Sequence, residues 1–369
     1  MRVIGLVLRA GAVVVVLAGL FALLDDGAPA PSTVAAAPTQ STSSAKPARK
    51  PPKGTFSFAA VGDVVMGSTP NLPPDGGAHF FDAVKGDLHA DVTLGNLEGT
   101  LSTVGASKCA AGSSSCFAFH TPPSYARWLK QAGFTVLNLA NNHANDFGPA
   151  AERQTVAALD RDGLKHAGRP GEIAYMKANG IRIAILGFAP YPWAQSLTNI
   201  AAAKRLVRRA AAKADVVIVM MHAGAEGVDH QHVIPGTEYF LGENRGNALA
   251  FSHAVIDAGA DLVVGSGPHV LRGIEWYRNH LIAYSLGNFA GFKVFGMGGP
   301  LSTSAILHVT LRGDGTVQDA HLVPAKLVGE GTPALDPLGA ALVLVRRLSQ
   351  QDFGSAGVTI SDTGTIGKA

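Results

Sequence analysis

Residues 134–148 read Phe-Thr-Val-Leu-Asn-Leu-Ala-Asn-Asn-His-Ala-Asn-Asp-Phe-Gly, an apolar, β-rich run from Phe134 to Leu139 that stops at amide, imidazole and carboxylate groups. The same break recurs along the chain. Phe56 to Val61 runs into Gly62-Asp63, Val92 to Leu94 into Gly95-Asn96-Leu97-Glu98, and Val216 to Met221 into His222. Leu262 to Val264 runs into Gly265-Ser266-Gly267-Pro268-His269. Segments of helical character lie between, at Ser124 to Ala132, Pro149 to Asp162, Ala201 to Ala214 and Asn247 to Ala258. This alternation predicts stacked βαβ units and a largely parallel sheet, in which ligands bind beyond the carboxyl ends of the strands. One Asp or Asn closing a strand is ordinary, because such side chains satisfy the turn that follows. Five strand ends of this kind on one edge supply the mixed oxygen and nitrogen donors of a one- or two-ion metal site.

The rest of the chain sets the context. Its 369 residues, 47% of them hydrophobic, are enough for a large core and one big α/β domain. Arg2 and Arg9 precede an apolar run from Ala10 to Leu24 closed by Asp25 and Asp26, which predicts a signal peptide or membrane anchor over residues 1–26. An Ala/Pro/Ser/Thr/Lys tether over 27–53 follows, too poor in apolar side chains to offset the entropy of ordering. The expected location is therefore outside the cytoplasm, anchored at the outer face of the membrane or secreted. Of the net charge of +3, residues 1–53 hold six Lys/Arg against two Asp, which leaves 24 basic and 25 acidic residues for the folded part. No basic cluster suits a nucleic-acid backbone, so nucleic acid is excluded as the main partner. Cys109 and Cys116 flank a flexible Ala/Gly/Ser segment, and in an exported chain a disulfide is the default reading.

The motifs at the strand ends resemble the CapA capsule-synthesis family, a branch of the calcineurin-like metallophosphatase superfamily. The matching stretches are Val61-Gly62-Asp63-Val64-Val65-Met66-Gly67, Gly95-Asn96-Leu97-Glu98-Gly99, Phe119-His120-Thr121-Pro122-Pro123 and Leu139 to Gly148. Further on come His222-Ala223-Gly224-Ala225-Glu226, Asp257 to Asp261 leading to Pro268-His269-Val270, and Tyr284-Ser285-Leu286-Gly287-Asn288-Phe289. The resemblance covers about residues 54–330, with 331–369 as an extension packed on that domain.

What the resemblance implies is a layered α/β/β/α sandwich of the metallophosphatase type with a divalent cation, Mn, Fe or Zn, as one or two ions. Asp63, Glu98, Asn142, His222 and His269 are the implied ligands, and His143 and Glu226 the groups that act on a bound molecule. Asn96, His120, Asn141, Asp146 and Asn288 are the expected substrate contacts. The implied function is accessory to synthesis or export of an anionic capsule polymer such as poly-γ-glutamate, alongside membrane-embedded subunits. The alternative is a metal-dependent hydrolase of a phosphoester or a surface-polymer amide. Two positions depart from the superfamily pattern, since Val65 and Gly267 stand where many relatives carry histidines. Fewer imidazoles favour one ion over two, and a fold can persist while its chemistry changes. A serine-hydrolase reading built on Ser285 leaves the strand-end residues without a purpose and is set aside.

Overall fold

The computed structural model describes residues 51–113 and 116–369, so the expected leader and nearly all of the tether lie outside the described residues. Two β-sheets organise the rest. The first runs Thr332–Leu335, Val317–Val328, Thr303–Arg312, Thr55–Val65, Val92–Leu97, Val136–Asn138 and Lys165–Ala167, with Asn288–Gly291 paired to the end of Thr55–Val65. The second runs Ile274–Tyr277, His280–Ala283, Leu262–Ser266, Val216–His222, Ile181–Phe188 and Ala174–Ala178.

Strands with polar ends lie parallel to one another within each sheet, joined by crossovers that include α1 (Ala126–Ala132), α2 (Gly148–Arg161), α3 (Ile200–Ala211) and α4 (Ala248–Asp257). The outer strands are antiparallel apart from Lys165–Ala167, which pairs parallel to Val136–Asn138. The largely parallel pairing expected from the alternation is thus corrected to mixed parallel and antiparallel pairing in two sheets. The reason is local: Gly313 to Thr316 turns Thr303–Arg312 straight back into Val317–Val328, and a turn that short admits only an antiparallel neighbour.

Side-chain alternation builds the layers. Phe56, Phe58 and Ala60 face a core that also contains Ile185, Ile218, Met220 and Val264 of the other sheet. Ala59 and Val61 face the opposite way, onto Leu129 of α1 and Ala158 and Leu159 of α2. Val217 and Val219 of the second sheet meet Val207 of α3 and Phe251 and Val255 of α4. Helices therefore cover the outer face of each sheet. Val216–His222 is buried at every residue, as a strand covered on both faces requires. Beyond residue 330 the chain continues the first sheet, and α5 (Ala340–Phe353) adds Ala341, Leu342 and Val345 to the core between the sheets. Among the described residues no helix is long and apolar enough to cross a membrane.

Candidate metal centre

Asp63 comes from the central strand of the first sheet, and the pairing register shifts beside it against both neighbouring strands. Such irregularities re-aim a side chain that a regular pleat would hold elsewhere. His222 closes the middle strand of the second sheet, and Glu98 follows Val92–Leu97. One donor atom from each of Asp63, Glu98 and His222 lies within 4.8 Å of the others, and all three residues are buried. His269 completes the group, its Nδ1 3.2 Å from Asp63 Oδ2 and its Nε2 3.7 Å from Glu98 Oε1. His269 sits at φ 61°, a left-handed conformation that a non-glycine residue holds only when its surroundings enforce it.

Amide donors hold the cluster. Asn96 Nδ2 donates to Asp63 Oδ1 at 2.8 Å, and the Gly267 amide donates to Oδ2 at 3.2 Å. Gly267 has φ +108°, and a Cβ there would lie 3.0 Å from the Ala223 nitrogen. A side chain at this position would be strained in that backbone.

The charges are unbalanced. Burial would raise the Asp63 carboxyl, but hydrogen bonding to His222 and His269 outweighs it and holds the group far below the usual carboxylate range. Glu98 goes the other way, driven well up by burial and then by the Asp63 charge. Burial pulls His222 down, towards the neutral form in which an imidazole binds metal. Burial also opposes protonation of His269, yet Glu98 and Asp63 push it up to about 10. Both Glu98 oxygens, His222 Nε2 and Asn142 Oδ1 are buried without a hydrogen-bond partner. Buried groups of this kind are normally satisfied, and this oxygen and nitrogen donor set fits a divalent cation.

Beside the cluster opens a cavity of about 240 Å³, with His143, Glu226, His269 and Asn288 in its polar lining. His143 Nδ1 is 2.8 Å from Asp146 Oδ2, and burial lowers its pKa despite that carboxylate. Glu226 is held by Arg245 Nη1 at 2.6 Å and lies 3.7 Å from His269 Nε2. Burial would raise this carboxyl, but the charges of His269 and Arg245 keep it low. Asn288 Oδ1 bonds His269 Nδ1 at 2.9 Å.

Four expected substrate contacts have other work. Asn96 Oδ1 accepts from Asn138 and Asn141, and with Nδ2 on Asp63 and near His222 its bonding capacity is used. Asn141 donates to Asn96 and the Leu97 carbonyl and accepts from the His143 amide. Asp146 is fully buried against His143, the Phe119 amide and Lys108. His120 stacks on Phe147 at 4.2 Å and is not among the residues lining the cavity. Asn96, Asn141 and Asp146 thus direct their polar atoms to protein neighbours, and His120 lies outside the cavity lining.

Asn138, Ser266, Lys108 and Arg245 were not singled out by the sequence reading. Asn138 also closes a strand and was open to the same reasoning, whereas Arg245 reaches the site from a short strand, Glu243–Gly246, with no sequence signal. Cys109 and Cys116 are joined in a disulfide with Cα atoms 5.5 Å apart.

Fold and site together define a layered α/β protein with a buried carboxylate–imidazole centre between the ends of two sheets. A family model described as bacterial capsule synthesis protein PGA_cap matches residues 57–292, and the chain belongs to that family. It is 35% identical over 236 residues to a capsule biosynthesis protein CapA of Bacillus anthracis, covering 58% of this chain and 52% of that one. It is 32% identical over 228 residues to the PGA biosynthesis protein CapA of Bacillus subtilis, covering 56% and 54%. The chain thus spans about half the length of these relatives. Among solved structures, a 5'-nucleotidase precursor from Thermus thermophilus is similar at a TM-score of 0.41 and 14% identity, over 76% of this chain and 54% of that one.

Proposed function

We propose that this protein is an accessory component of capsule synthesis or export that works at the cell envelope. On this reading it holds an anionic polymer of the poly-γ-glutamate type at a divalent cation. The observation that carries the reading is Glu98, whose two buried oxygens have no protein donor and whose Oε1 lies 3.7 Å from the Nε2 atoms of His222 and His269, imidazoles whose second nitrogens are engaged elsewhere. Asp63, Glu98, His222 and His269 would hold the ion, with Asn142 Oδ1 as a further donor. When bound, the cation supplies countercharge and Lewis acidity to an oxygen of the polymer. His143 orients that group from the cavity lining, while Asn288 and Glu226 keep His269 in place.

Binding of a γ-linked glutamyl oligomer is the test. Manganese-loaded protein should bind it, and metal-free protein and Asp63→Asn should not. Equal binding by all three would contradict the reading.

A second reading, a hydrolase of the same polymer, is favoured by the His143–Asp146 pair. With Nδ1 on a buried carboxylate, Nε2 of His143 is left to deliver a proton to a leaving group. If turnover exists, His143→Ala should cut it about 10²–10⁴-fold while metal content holds. Absence of turnover at every metal loading would leave the binding reading alone.

A further inference from the structure

Above its polar lining the cavity is walled by Phe117, Phe119, Phe240 and Phe295, which come from three separate stretches of chain. Two of the rings are fixed against the site itself. Phe119 lies 4.3 Å from the His143 ring and Phe295 4.9 Å from the His269 ring. The place of Phe295 is built in, because a Cβ on Gly291 would occupy the space its ring fills. Phe117 is 61% exposed at the mouth, beside the disulfide between Cys109 and Cys116. Among the described residues that line this cavity there is no lysine or arginine.

These features select a ligand chemistry. A polyphosphate has no C–H groups to lay against these aromatic walls. Aliphatic C–H groups suit aromatic faces, and His143, its Nδ1 held by Asp146, can turn Nε2 to a carbonyl or carboxylate oxygen at the base. A volume of about 240 Å³ falls below the roughly 300–1,000 Å³ of sites that take drug-sized ligands, so it admits one small repeat unit at a time.

We propose that this slot is the subsite for a single repeat unit of an unbranched aliphatic polyamide, its methylene groups against Phe117, Phe240 and Phe295 and an oxygen towards the cluster. The proposal rests on the polymer-binding reading and names the residues that make it selective for polyamide over polyphosphate.

The test is calorimetric titration of manganese-loaded protein with a γ-linked glutamyl oligomer and, separately, with inorganic polyphosphate of matched length. The double variant Phe117→Ala/Phe240→Ala should bind the oligomer about tenfold more weakly, with polyphosphate affinity and metal content unchanged. Val343→Ala, an exposed change on α5, should bind as wild type. Melting curves of the double variant separate lost contacts from lost folding. Oligomer affinity unchanged in the double variant, an equal fall for polyphosphate, or wild-type protein that binds polyphosphate and no oligomer would each overturn the slot. The polymer-at-metal reading fails differently, through oligomer binding that survives Asp63→Asn and metal removal yet still depends on the phenylalanines.

Discussion

Asn96 never needs to touch a ligand to govern the site. Its amide connects Asp63, Asn138 and Asn141, so one side chain ties three strand ends together in the buried interior. Replacing it with Leu keeps the volume close but leaves Asp63 Oδ1 without its donor. An orphaned buried acceptor costs about 1–3 kcal/mol, and loss of a group that orients a ligand costs about 10–100-fold in metal affinity. Thermal melting and metal titration of Asn96→Leu should show both. A normal melt with normal affinity would mean the network does not position the centre. At this scale the sequence revealed which residue types gather but not which of them spend their bonding capacity on one another. Asn141 and Asp146 look identical to ligand contacts until their partners are seen.

The strand ends were legible because each combines an abrupt change of polarity with a fixed place in a parallel arrangement. The start of α5 was not. Its capping position is Gly339, with no side chain to offer, and the work falls to Asp336 further upstream. That carboxylate accepts from the Ala340 amide at 3.0 Å and the Leu338 amide at 3.3 Å, and it meets Lys326 Nζ at 3.2 Å. Burial would raise its pKa, but the Ala340 amide and Lys326 outweigh that and lower it from 3.8. A carboxyl lowered on folding stabilises the protein above its unfolded value, and the stabilisation disappears as pH falls through the folded one. Asp336→Ala should therefore cost about 1 kcal/mol near neutral pH. The difference from wild type should close as the pH drops below 3.8. A gap that persists in acid would mean the side chain acts through packing rather than charge.

The Cys109–Cys116 disulfide is a separable element. Closing so short a loop contributes about 2–3 kcal/mol by chain entropy. Reduction should lower the melting temperature by a few degrees and leave metal content intact. Loss of metal on reduction would show that the loop, through Lys108 and Asp146, is needed to form the site.

Across the whole molecule, the βαβ part of each sheet follows from the spacing of apolar runs and helices. The division into two sheets does not, because an apolar run reads the same whichever sheet it joins. Only packing decides that Phe58 of one sheet meets Ile218 of the other. The site is a product of that division, since Asp63 and His222 stand on different sheets and face each other because the sheets do.

Metal content tests this directly. The described domain, purified and dialysed against manganese, iron or zinc, should retain close to one divalent ion per chain, with affinity rising with pH as ligands lose protons. His222→Ala and Asp63→Asn should each lose most of it while keeping a cooperative melt. Metal content equal in wild type and both variants, or no uptake by folded wild type at neutral pH, would contradict the account.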